Sequence, residues 1–140
     1  MAKSINELQD EIIEEFEAFD EWLDRYELIA DYSRSLSPMS EADKTDSNLI
    51  DGCQSKVWFT ARMEEGRIHF SGDSDAILVR GIVGLLLSVL NDHTPQEICE
   101  ADLYFIDRIG LREHLSPTRS NGVAAMLKQL KLYALAYKSK

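Results

Sequence analysis

Lys56-Val57-Trp58-Phe59-Thr60-Ala61-Arg62-Met63, then Glu64-Glu65-Gly66, then Arg67-Ile68-His69-Phe70-Ser71 is the stretch that decides the fold. The first run is rich in strand formers, the last alternates apolar and polar positions, and Gly66 offers a positive-φ turn position between them. That combination predicts a β-hairpin. Gly72-Asp73-Ser74-Asp75 follows as punctuation. Asp73 or Ser74 is placed to cap the next helix, and Asp75 near that terminus suits the helix dipole. Residues 76–90 are apolar nearly all round (Ile77, Leu78, Val79, Ile82, Val83, Leu85, Leu86, Leu87, Val89, Leu90), the signature of a buried helix. Gly81 and Gly84 would let a neighbour approach it closely. A central helix laid against a small antiparallel sheet of about three strands is an α+β architecture.

Upstream, Ser4-Ile5-Asn6-Glu7 has capping-box spacing and starts a helix with the apolar stripe Ile5, Leu8, Ile12, Phe16, Phe19. The pattern breaks near Phe19-Asp20, where Asp20 can cap a second helix carrying Trp22, Leu23, Tyr26, Ile29 and Ala30. That helix ends before Pro38. Residues 37–55 lose all periodicity, and a loop of this length in a small domain tends to be functional or disordered. A short strand is expected at 48–50. Downstream, Thr94-Pro95-Gln96-Glu97 starts a short helix, irregular elements lead to Leu115, and Ser116-Pro117 opens a last helix with Val123, Met126, Leu127, Leu130, Ala134 and Tyr137 on one face. The 140 residues fit one domain, 1–140.

Composition excludes several functions. With 25 acidic against 15 basic side chains the formal net charge is −10, which argues against a nucleic-acid partner, since phosphate backbones demand clustered Lys and Arg. The longest apolar run, 82–90, is far short of a membrane span. The N-terminus turns acidic at once and carries no apolar signal core, so the expectation is an uncleaved cytoplasmic protein. Charge is unevenly placed: residues 1–31 hold eleven acids and two bases, whereas from Thr118 onward there are five bases and no acid. Two solvated helix faces explain this more simply than an interaction surface does.

Two cysteines are too few for a disulfide framework or a four-thiolate metal site. Cys53, in Gly52-Cys53-Gln54-Ser55, stands in a polar loop beside a strand, where a thiolate has the access it needs to react; the alternative is a Cys tucked beneath its loop. Cys99, beside Ile98 in a short helix, is expected to be a buried thiol. His69, His93 and His114 are scattered without metal-ligand spacing and are expected to be ordinary hydrogen-bonding residues. Arg119 falls in the first turn of the last helix, where a cation opposes the dipole; pairing with a carboxylate or steadying a thiolate would account for it, as would plain exposure.

Three segments taken together resemble the SufE family: residues 48–58 with Gly52-Cys53-Gln54-Ser55, residues 72–81 with Gly72-Asp73-Ser74-Asp75, and residues 115–122 with Leu115-Ser116-Pro117-Thr118-Arg119. They occur in the family's order and cover essentially the whole chain together with the acidic helical start. The resemblance implies the fold shared with IscU-type cluster scaffolds. It implies that Cys53 accepts persulfide sulfur, that Asp75 and Arg119 lie near its loop, and that the partner is a SufS-type cysteine desulfurase whose pyridoxal phosphate stays on the partner. Sulfur would pass on to a cluster-building scaffold complex, with a covalent persulfide on this chain, no independent turnover and no cofactor of its own. Arg80 stands where the family commonly has Lys. The sequence leaves a homodimer open. Two rivals follow: a cluster scaffold, which needs several converging thiolates where this loop has one, and a docking activator for which Cys53 is only packing.

Overall fold

The computed structural model describes residues 3–36, 39–50, 55–115 and 117–139, with the backbone alone at 112 and 117–120. Seven α-helices and two strands are found there: α1 (Ile5–Glu17), α2 (Trp22–Tyr32), β1 (Val57–Glu64), β2 (Arg67–Ser74), α3 (Ile77–Leu90), α4 (Pro95–Glu100), α5 (Phe105–Arg108), α6 (Leu111–His114) and α7 (Pro117–Lys138). The fold is α+β, as the sequence pattern requires. Among the described residues no helix is long and apolar enough to cross a membrane.

Both capping boxes form: Ser4 Oγ accepts the Glu7 N–H at 3.1 Å, and Thr94 Oγ1 accepts the Glu97 N–H at 3.2 Å. The break after α1 also forms, but Asp20 does not cap α2; the cap position is Glu21, with no side-chain hydrogen bond. Arg25 ties this corner instead, donating from Nε to Phe19 O at 2.9 Å and from Nη1 to Ile109 O at 3.1 Å. Leu23 points outward at 77% exposure, and the buried face of α1 runs Ile5, Gln9, Ile12, Ile13, Phe16. Gln9 takes a core position because its amide is met on both sides: Nε2 donates to Asn6 Oδ1 and Asp102 O, and Oε1 accepts the Phe105 N–H.

The hairpin turns on Glu65 (φ 52°) and Gly66 (φ 80°), both left-handed, as a two-residue turn of the right twist demands. That turn fixes the register Glu64↔Arg67 through Val57↔Ser74, so β2 extends through Gly72, Asp73 and Ser74. The helix-capping role expected of Asp73 or Ser74 is therefore not observed: α3 starts at Ile77 behind Ala76, and Asp73 is a strand residue.

The sheet has two strands among the described residues, rather than about three. Isolated pairings and side chains occupy the edges where further strands would lie. On β1, Val57 O accepts the Ile50 N–H at 2.8 Å, Phe59 O accepts the Tyr133 hydroxyl at 3.2 Å, and Ala61 O accepts the Tyr137 hydroxyl at 3.1 Å. The strand expected at 48–50 thus shrinks to a single antiparallel bridge, Leu49↔Trp58. On β2, Ile68 exchanges bonds with Asp92 and His93, and the Asn91 side chain meets both the N–H and the C=O of Phe70. Sealing outward groups in this way removes the template for edge-to-edge pairing.

Helix α3 crosses this hairpin and is buried along nearly its whole length, with Val83, Leu85, Leu86, Val89 and Leu90 fully enclosed. Gly81 and Gly84 let α2 come close: a Cβ on either would overlap the carbonyl oxygen of Ile29 or Tyr32.

Candidate functional site

The open end of the hairpin is the candidate site. Its strands meet there at Val57 and Ser74, and the pairing runs one residue further, since the Asp75 N–H donates to Lys56 O at 3.2 Å. The Asp75 carboxylate then accepts the Lys56 N–H at 3.1 Å, so one exposed Asp holds both the donor and the acceptor of Lys56. On the other limb, Ile50 is fastened to Val57 and Leu49 to Trp58. The chain between these two fastened points contains Cys53. Cys53 itself lies outside the described residues, as does the side chain of Arg119, whose backbone belongs to the first turn of α7.

Two residues before Asp75 lies a buried charge. Asp73, only 6% exposed, faces two cations: Arg80 Nε stands 3.2 Å from Oδ1 and Lys44 Nζ 3.4 Å from Oδ2. The Ser74 N–H adds a hydrogen bond to Oδ1 at 2.8 Å. Among the described residues Arg80 Nε makes no hydrogen bond of good geometry, so its attraction to Asp73 is ionic rather than directional. Lys44 also reaches Glu41 at 3.5 Å and lies 5.6 Å from the centre of the Trp58 ring, within cation–π range. Leaving a carboxylate unpaired in such a place would be costly; two cations and an amide offset the lost hydration.

This cluster escapes the sequence pattern, because Asp73 fits a helix cap and Lys44 lies in aperiodic chain. A usable signal exists all the same: a two-residue turn at Glu65-Gly66 sets the register that pairs Asp73 with Trp58, a strand former at the start of β1.

The remaining reactive side chains lie elsewhere. Cys99 is a free thiol, half-buried against the core and less enclosed than expected. His93 is buried, with its ring nitrogens 2.9 Å from Lys3 O and 3.3 Å from Leu90 O. His114 stacks on Trp22 at 4.0 Å, and His69 lies 3.6 Å from both Glu64 and Asp92. Among the described residues no three His, Cys, Asp or Glu side chains converge as metal ligands.

Residues 10–134 match the SufE family, described as the Fe–S metabolism associated domain. A SufE-like protein of Synechocystis is 40% identical over 126 residues, spanning 90% of this chain and 79% of its own. A SufE-like protein of Rhizobium meliloti is 38% identical over 127 residues, spanning 87% and 91%. In three dimensions the chain superposes on the solution structure of a hypothetical protein from Thermus thermophilus with a TM-score of 0.78 at 21% identity, covering 95% of this chain and 97% of that one, which is a likeness of fold. With its α+β fold and a match over nearly its full length, the chain belongs to the SufE family of Fe–S metabolism.

Proposed function

We propose that this protein is a sulfur acceptor, a domain spanning residues 1–140 in which Cys53 takes persulfide sulfur from a SufS-type cysteine desulfurase and passes it on toward cluster assembly. The observation that carries the reading is the family match across residues 10–134, which includes Gly52-Cys53-Gln54-Ser55. The exchange balances without an outside oxidant. The Cys53 thiolate attacks the outer sulfur of the desulfurase's Cys–S–SH, a new S–S bond forms on Cys53, and the old S–S bond breaks to release the desulfurase thiolate. The persulfide on Cys53 is then open to attack by a later acceptor in the same manner.

Two features of the chain support this chemistry. The fastened Ile50 and Lys56 limit how far the short stretch between them can carry its thiol from the end of the sheet. Asp75 has a concrete part in that arrangement, holding the Lys56 limb, and Arg119 is the cation proposed to steady the thiolate or persulfide. The desulfurase's pyridoxal phosphate does its work on the partner.

The test is mass spectrometry of the chain after incubation with a desulfurase and cysteine. Wild type gains one sulfur atom, about 32 Da, on Cys53. Cys53→Ser gains none and loses the stimulation of desulfurase turnover while its circular dichroism is unchanged. Stimulation that survives in Cys53→Ser would instead assign the protein as a docking activator, and iron-dependent visible absorbance would assign it as a cluster scaffold.

A further inference from the structure

The Ser74 N–H donates to Oδ1 of the Asp73 carboxylate at 2.8 Å, and Arg80 of α3 stands 3.2 Å from the same oxygen. Among the described residues the other oxygen, Oδ2, faces a second cation. Lys44 supplies it at 3.4 Å, and Lys44 belongs to the chain leading toward Cys53. From Lys44 that chain makes one 3-10 turn, Asp46–Asn48, and returns to the sheet at Leu49 and Ile50. Among the described residues, this ion pair, backed by the ring of Trp58, ties its upstream end directly to the sheet, while the Asn48 side chain donates to Asp43 O at 2.8 Å within the limb, and the remaining partner of Lys44, Glu41, is 91% exposed. Trp58 is common to both anchors, for it pairs with Asp73 in the sheet and with Leu49 across the bridge.

We infer that Asp73 is a positioning residue for sulfur acceptance: through Lys44 it fixes the 44–50 limb and so the point from which the Cys53 stretch departs. This rests on the reading of Cys53 as the acceptor. Neutralising Asp73 leaves Lys44 and Arg80 as neighbouring cations with no shared counter-charge, and the one able to leave is Lys44, on a short irregular segment. The limb then loses its upstream anchor while Leu49 and Ile50 keep the downstream one. Asp73 touches no reacting atom. Its effect should appear in how fast a bound desulfurase finds the thiol, not in how tightly the two proteins bind.

The experiment is single-turnover transfer from persulfide-loaded desulfurase to the full chain, quenched and read by mass. Asp73→Asn and Lys44→Met each lower the maximal loading rate by about tenfold, and leave the half-saturating desulfurase concentration within about twofold of wild type. Lys44→Arg keeps the charge and loads at nearly the wild-type rate. The double variant is no slower than the slower single one, because both changes break one interaction. If Asp73→Asn fails to fold, Lys44→Met against Lys44→Arg carries the same comparison. Loading by Lys44→Met at the wild-type rate, or a double variant whose losses multiply, overturns the inference and leaves the acceptor reading standing. A wild-type chain that never gains sulfur overturns both.

Discussion

Gly84 shows how far a single residue can be read from sequence. A glycine in an otherwise apolar helix signals close approach, yet the partner cannot be named without the fold. That partner is the Tyr32 carbonyl at the C-terminus of α2, where the packing of two helices leaves no room for a methyl group. A backbone oxygen cannot rotate away as a side chain can. Gly84→Ala gains about 1 kcal/mol of helix propensity and loses more to overlap. The expected net effect is a destabilisation of about 1–3 kcal/mol, read as a lower urea midpoint at unchanged slope. A variant as stable as wild type would mean that α2 and α3 can slide apart cheaply. Asp73 is the opposite case. Its chemical type is plain from sequence, but its environment depends on a hairpin register set at the distant turn.

At the scale of elements, legibility follows the range of the interaction that makes each one. The capping boxes at Ser4 and Thr94 close within four residues and are readable in full. The hairpin and α3 come from periodicity and from composition over their own length. The expected third strand shrinks to the Leu49 bridge, because the next outward carbonyls of β1 are taken by Tyr133 and Tyr137 from a distant part of the chain, which no local signal reveals. Cys53, Asp75 and Arg119 are proposed as site residues from resemblance, and the geometry shows Asp75 hydrogen-bonded to the Lys56 N–H. The cap of α4 yields a prediction of its own. The Thr94 backbone N–H, and then its side chain, hold the Glu97 carboxyl below its ordinary value. A folded value below the unfolded one means stability present above about pH 4.3 and lost as pH falls through the folded value. Glu97→Gln keeps a weaker version of the bond without the charge. It should cost roughly 0.3–1 kcal/mol at pH 7 in low salt, with the difference from wild type closing as the pH falls from about 4.3 through the folded value. A constant gap across that range would show that the carboxylate's charge contributes nothing to the cap.

At the scale of the whole molecule, α7 is fastened to the edge of the small sheet by hydrogen bonds as well as by apolar packing. Tyr133 and Tyr137 sit one helical turn apart, and β1 carbonyls that face the same way recur every second residue, so two phenols on one helix face meet Phe59 and Ala61 in step. Each bond contributes about 1 kcal/mol, and each requires the phenol proton. Burial, followed by the neighbouring Tyr137, pushes the Tyr133 hydroxyl above its ordinary value. Tyr104 is raised by burial and by its bond to Asp10, and Tyr32 is raised by burial and by its bond to Glu15. All three have folded values above the unfolded one, so their contribution is complete below about pH 10 and is lost as pH rises toward the folded values. Stability should therefore be level from neutral pH to about pH 9 and fall steeply beyond it. Tyr133→Phe should start about 1 kcal/mol lower at about pH 8, then decline less steeply than wild type, so that the two urea midpoints draw together as the pH rises above about 10. Parallel curves would mean that Tyr133 ionises alike in the folded and unfolded chains, and α7 would then be held to β1 by packing alone.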